Sequence, residues 1–181
     1  MKKFFLLLAI AFLALSANAQ KFLTREGFIK FYGSTPMEDI EAVTKQASSV
    51  IDAESKAVVF QVLLNSFAFE KALMQEHFNE NYVESEKFPK ATFKGTIVGD
   101  VDLSKSGTFE VSLNGNMNLH GVDKELTVPA TIIVEKEGMK LSSEFSLVPE
   151  DFRIEIPGAV REKIAKQMEV TVKCAYKPVK K

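Results

Sequence analysis

Residues 109–120, FEVSLNGNMNLH, alternate without a break. Phe109, Val111, Leu113, Gly115, Met117 and Leu119 fall on one face of an extended chain. Glu110, Ser112, Asn114, Asn116, Asn118 and His120 fall on the other. A helix repeats every 3.6 residues or so, so a sustained period of two excludes one here and predicts a long strand with one buried face. The pattern recurs. Leu126, Val128, Ala130, Ile132 and Val134 alternate with Glu125, Thr127, Thr131, Ile133 and Glu135. Met139, Leu141, Ser143, Phe145 and Leu147 form a third apolar face, and Met168, Val170, Val172, Cys174 and Tyr176 a fourth. Further strands are predicted near 21–34, 40–51, 57–67 and 91–98. Gly121-Val122-Asp123-Lys124 and Lys136-Glu137-Gly138 read as hairpin connections, and Asp52-Ala53-Glu54-Ser55 as a turn.

Two segments break the alternation. Phe69 to Glu80 places Phe69, Leu73, Met74 and Phe78 at helical spacing, and Gly158 to Lys166 reads as a second short helix after Pro157. The fold class is therefore all-β: about eight long antiparallel strands with two short helices. Strands of eleven residues reach roughly 36 Å at about 3.3 Å per residue, long for a sandwich of this size. Closure into an up-and-down barrel removes the exposed sheet edges such strands would leave. The inward phase nominates Phe60, Val62, Leu64, Phe93, Ile97, Phe109, Val111, Leu113, Met117, Leu119, Leu141, Phe145, Met168, Val170 and Val172 as residues facing the lumen. Gly115, Ala130 and Ser143 on the same phase leave room among them. An eight-stranded barrel is just wide enough to be filled by its own side chains or to hold one small ligand. The residues alone do not choose between the two.

The chain opens on MKKFFLLLAIAFLALSANA, with Lys2 and Lys3 before the twelve-residue apolar run Phe4–Leu15 and a small-x-small site at Ala17-Asn18-Ala19. This is the grammar of a cleaved signal peptide over 1–19, with a mature domain over 20–181 starting at Gln20. The run falls short of the roughly 20 apolar residues of a membrane span, and no other stretch approaches it, so no stable membrane insertion is expected. Loss of Lys2 and Lys3 leaves 21 Lys+Arg against 24 Asp+Glu, a net charge of −3. Such a surface gives no electrostatic case for nucleic acid. The single cysteine, Cys174, cannot form an internal disulfide, so stability must come from packing.

Candidate chemistry is sparse. Gly-x-Ser-x-Gly, His-Glu-x-x-His, phosphate-cradling and Cys-x-x-Cys motifs are all missing from the sequence. His120 is expected to point outward as a turn residue bonding local backbone. A metal role would need three converging donors, and only Asp123 lies near it in sequence. His77 is expected to be half-buried on its helix. Cys174, on an apolar phase, should be an inert buried thiol. No metal or cofactor is expected. Two alternatives stand beside ligand binding: a filled-core interaction module, and an enzyme acting on a lipid or quinone with His77 or His120 as acid/base. Outward-facing Ile133 could sit at a homodimer contact or under a helix.

EHFNENYVESEKFPKATFKG, residues 76–95, resembles the signature of YceI-like proteins through His77-Phe78, Tyr82-Val83-Glu84, Phe88-Pro89 and Ala91-Thr92-Phe93. NLHGVDKEL, residues 118–126, is similar to that family's leucine-histidine-glycine-valine hairpin, and DFRIEIPG, residues 151–158, to its late segment. The resemblance covers most of residues 22–177. It departs at GSTPMEDIEAVTKQASSV, residues 33–50, where the family often carries a Gly-rich bend, which bears on the first hairpin and one wall of any pocket. The resemblance implies a lipocalin-like extended barrel, periplasmic and non-enzymatic. Its lumen would bind a long-chain amphiphile such as a polyisoprenoid, an isoprenoid quinone or a fatty-acid derivative. It supplies no catalytic residues. Polar residues of the 69–80 and 157–166 segments would stand near a headgroup.

Overall fold

The computed structural model describes residues 20–179; the signal segment inferred at 1–19 lies outside them. The strands are β1 (Lys21–Ser34), β2 (Asp39–Asp52), β3 (Ala57–Leu63), β4 (Ala68–Phe69), β5 (Lys90–Val98), β6 (Gly107–Leu119), β7 (Val122–Glu135), β8 (Gly138–Leu147) and β9 (Met168–Pro178). Eight of them close a ring in the order β1-β2-β3-β5-β6-β7-β8-β9, with β9 returning to β1. All neighbours are antiparallel. The two-residue β4 lies outside the ring and lengthens the sheet beside β2, pairing Phe69 with Ala42. Two long connections interrupt the ring: residues 64–89 between β3 and β5, which include β4, and residues 148–167 between β8 and β9.

The alternating faces settle as the period demands. Val128, Ala130, Ile132 and Val134 are buried on β7, and Val170, Val172, Cys174 and Tyr176 on β9. One end of the barrel is solid. There Phe22, Ile51, Val58, Ile97, Val111, Val134 and Met139 pack together, and the β5–β6 loop tucks Val101 and Leu103 beneath them. Gly95 and Gly115 face each other across β5 and β6. A Cβ on Gly115 would come within 2.4 Å of the Lys94 carbonyl oxygen, so the two strands approach closely only because both residues lack one.

Several expectations are corrected. The helix predicted over 158–166 is a single 3-10 turn, Gly158–Val160, followed by irregular chain. Most of its residues are exposed, and a short segment with so little to bury lacks the packing that holds helices in proteins. The 69–80 helix shrinks to α1, Ala72–His77, continued by a π turn, Phe78–Tyr82. Strand 57–67 ends at Leu63, and Leu64–Ser66 form a 3-10 turn. The connection assigned to residues 121–124 is instead the pair His120-Gly121, both at positive φ (52° and 72°). That is the backbone of a two-residue hairpin turn, which suits glycine and is tolerated by histidine.

Cys174 and Tyr176 lie side by side in the core. Burial pushes the Cys174 thiol up to about 11 from an ordinary 9.0. It raises the Tyr176 hydroxyl too, which donates to Ser49 Oγ at 2.8 Å. A raised acid favours the folded state while protonated. The Cys174 contribution is thus complete below pH 9 and is lost as pH rises through about 11, a fall of about 3 kcal/mol at ~1.4 kcal/mol per unit. Denaturant unfolding at pH 8 and pH 11 should show it, and Cys174→Ala should flatten the decline. An equally steep decline in that variant would refute the assignment.

Candidate functional site

Above the solid end the barrel is hollow. A cavity of about 500 Å³ runs from mid-barrel to the opposite mouth. Twelve of the fifteen residues nominated for the lumen line it: Phe60, Val62, Leu64, Phe93, Leu113, Met117, Leu119, Leu141, Phe145, Met168, Val170 and Val172. Ile97, Phe109 and Val111 do not; they pack at the solid end. Of the small inward residues only Ser143 reaches the cavity, and its Oγ donates to the Pro129 carbonyl at 2.6 Å. Gly115 and Ala130 leave no space there, because strand approach and core packing consume it.

The hollow exists because two neighbouring strands separate. β7 and β8 pair only through Thr131–Glu135 and Gly138–Ser142. Beyond that point β8 follows β9, while β7 stays with β6. Pro129 marks the parting. Its carbonyl points toward β8, so the N–H it lacks belongs to an edge where the ladder has already ended. The chain leaving β8 then makes a 3-10 turn, Pro149–Phe152, and contributes Phe152, Ile154 and Ile156 to the cavity wall. All three are buried.

The insertion between β3 and β5 roofs the mouth. Phe31 of β1 meets Phe67, Phe69 and Phe78 with ring centroids 5.3, 5.7 and 5.4 Å away, a tilted and edge-on cluster that fastens the insertion to the barrel. Lys71 Nζ donates to Glu38 Oε1 at 2.8 Å and ties the insertion to the first hairpin. Glu38, Lys71, His77, Tyr82 and Lys163 are the ionisable groups on the cavity lining, and all belong to the mouth segments. Leu73, 60 % exposed, stands on the same lining. Partial burial raises the Tyr82 hydroxyl above its ordinary range.

His120 departs from expectation. Its side chain is only 11 % exposed, and its partners are distant in sequence. Nδ1 donates to the Phe152 carbonyl at 3.1 Å, and Nε2 lies 2.8 Å from Glu84 Oε2. The Phe88 ring stands edge-on to the imidazole, centroids 4.6 Å apart, and covers Gly121 where a Cβ would strike it at 2.6 Å. Lys124 forms an ion pair with Asp151 beside this group. One imidazole thus joins the β6–β7 turn, the insertion and the 149–156 segment. The three stretches that carried the family resemblance converge here, on a clamp rather than on reactive groups. Of the two histidines only His77, exposed at the end of α1, lines the cavity. Among the described residues no three His, Cys, Asp or Glu side chains converge as a metal site would require, and no helix is long and apolar enough to cross a membrane.

Several further residues complete the cavity wall. Leu126 and Val128 lie on the apolar phase of 126–134, and Leu147 on that of Leu141 and Phe145, so the signal was present for these three; Ile29 and Phe31 stand two apart on β1. Ile154 and Ile156 alternate across a loop, a weaker version of it.

The chain matches no curated protein. Solved structures share its fold. A polyisoprenoid binding domain from Saccharophagus degradans, implicated in plant cell wall breakdown, superposes with a TM-score of 0.74 at 15% identity, covering 88% of this chain and 98% of that one. Burkholderia cenocepacia BcnA gives 0.70 at 12% identity, with coverage of 83% and 95%. A Campylobacter jejuni YceI protein gives 0.60 at 16%, with coverage of 76% and 84%. The family model of the YceI-like domain matches residues 19–176, and by that match the chain belongs to the YceI-like family.

Proposed function

We propose that this protein binds one long-chain amphiphile in its barrel and carries or stores it without chemical turnover, after export to the periplasm. The cavity carries this reading: about 500 Å³, apolar along its depth, closed at one end and polar at the other. Protein interiors pack to crystal-like density with few voids larger than water, so a hollow of this size and lining supports ligand binding over a filled core. Each methylene moved from water into it gains about 0.8 kcal/mol. A tail with about 15 buried carbons gains roughly 12 kcal/mol gross. Ordering and association remove several kcal/mol, which leaves micromolar to nanomolar affinity. The polyisoprenoid-binding description of one structural neighbour agrees in kind. Export is supported by the basic, apolar and small-residue succession over 1–19, and N-terminal sequencing of protein from its host should begin at Gln20.

Titration of the delipidated protein with a fluorescent fatty-acid probe tests the binding reading. Saturable, one-to-one enhancement is expected, and no enhancement at micromolar protein would overturn it. His77→Ala should still bind the probe saturably and one-to-one, because no step of binding needs a base. A loss of turnover of some lipid in that variant would instead favour an enzyme.

A further inference from the structure

The cavity wall also carries information on ligand length. Leu119 and Leu147 stand at the mouth, with Leu113 and Leu141 six residues deeper on the same two strands. Six residues of strand span about 20 Å, which is about 15 Å along the barrel axis at a tilt of about 40°. About 500 Å³ spread over that depth gives a section of about 33 Å². One hydrocarbon chain touched by carbon neighbours at about 4 Å fills a section of this order, and a second chain beside it does not fit. At about 30 Å³ per group, the share of a liquid water, the cavity holds about 17 heavy atoms. An extended chain advances about 1.2 Å per bond, a third of one extended residue, so about 15 Å takes about 13 atoms in line. Depth and volume bracket about 13 to 17 atoms, and the volume, which admits a bent chain, sets the upper figure.

Direction follows from what lies at each end. Below Leu113 and Leu141, the side chains of Ile97, Ile132 and Met139 are at most 2 % exposed and fill the barrel. The Ser143 hydroxyl near the floor is already bonded to the Pro129 carbonyl. Lys71, His77 and Lys163 stand at the mouth.

We propose that Leu113 and Leu141 are the floor of a length ruler, which takes a single hydrocarbon chain of about 17 carbon atoms tail-first and leaves the rest of any longer chain outside. The ruler rests on the lipid-binding reading and narrows it. Its ligands are single-chain amphiphiles, such as fatty acids, their amides or isoprenoids of three to four units. A two-chain phospholipid is excluded, and a much longer polyisoprenoid is held by one end.

The test is displacement of the fluorescent fatty-acid probe from the delipidated mature protein by straight-chain fatty acids of increasing length, from about 10 to about 24 carbons, a range that brackets the ruler. Affinity should rise about tenfold for each two methylenes and then level off near 17 carbons. Leu141→Ala removes three side-chain carbons and should move the break up by about two to three carbons. Leu113→Phe adds three and should move it down by about as much. Either variant that melts cooperatively carries the test, and the wild-type break stands without them. A ladder that keeps tightening through its longest member, or a break that stays put in a folded variant, overturns the ruler while binding survives. If no acid on the ladder displaces the probe and the probe itself does not bind, the lipid-binding reading falls and the ruler with it.

Discussion

Phe152→Ala should lower the unfolding free energy by about 3–5 kcal/mol, the cost of deleting a buried aromatic side chain whose site cannot collapse. Phe152 is 1 % exposed and belongs to the second apolar cluster, with Val62, Leu64, Phe67, Val83 and Ile154. Val62 lies on β3, Leu64, Phe67 and Val83 in the insertion, and Ile154 in the loop of Phe152 itself. The Lys124 ammonium lies 6.0 Å from the ring centroid, and the Phe152 carbonyl accepts a hydrogen bond from His120 Nδ1–H. Relaxation into the gap would pull against both. For a domain of this size each kcal/mol shifts Tm by about 2–4 °C, so a fall of about 10 °C is expected. Calorimetry on the ligand-free protein checks it. Ile133→Ala, on the exposed outer face, should change Tm little. A Phe152→Ala cost below about 1 kcal/mol would mean that the 149–156 segment is not clamped as described.

Val170→Phe should weaken ligand binding about a thousandfold. Val170 faces Phe145 across β9 and β8 on the cavity wall, between the mouth and the floor. The larger side chain adds four carbons, about 120 Å³ at ~30 Å³ each, to a passage one chain wide. A tail stopped there, four strand residues or about 10 Å of depth above Leu141, loses about eight buried methylenes, roughly 6 kcal/mol gross at ~0.8 kcal/mol each. A thousandfold loss is about 4 kcal/mol, which that figure covers. Stability should hold or rise, since the substitution fills a void rather than overpacking a core. Probe titration and a melt on the same sample separate the outcomes. Unchanged affinity in a folded Val170→Phe protein would place the ligand elsewhere.

Much of this barrel is legible in period-two patterning. Met139, Leu141 and Ser143, or Val170, Val172 and Cys174, declare an inward face because a strand permits no other periodicity, and eight such faces leave closure as the natural way to cover their edges. The misses share a cause. Alternation in β6 runs one residue too far in the sequence, because positive φ puts His120 inside the turn, and a turn histidine reads as one that bonds local backbone. Its partners, Glu84 and Phe152, lie 36 and 32 residues away, beyond any local pattern. Residues 158–166 contain good helix formers, but only Val160, Ile164 and Ala165 are even partly buried, too little to hold a helix in place. The hollow is least legible. Phe60 and Phe109 sit on equally apolar inward faces, yet one lines the cavity and the other packs the solid end. The difference is made by β7 and β8 parting at Pro129 and by a distant loop that roofs the gap.

The central claim is an occupied hollow, and the most direct measurement is native mass spectrometry of protein purified from its own host, with organic extraction of the same sample. The account predicts a mass above that of the polypeptide by one single-chain lipid, recovered in the extract and absent from Val170→Phe. A bare polypeptide mass, with no lipid in the extract and no uptake of the fatty-acid probe, would contradict it.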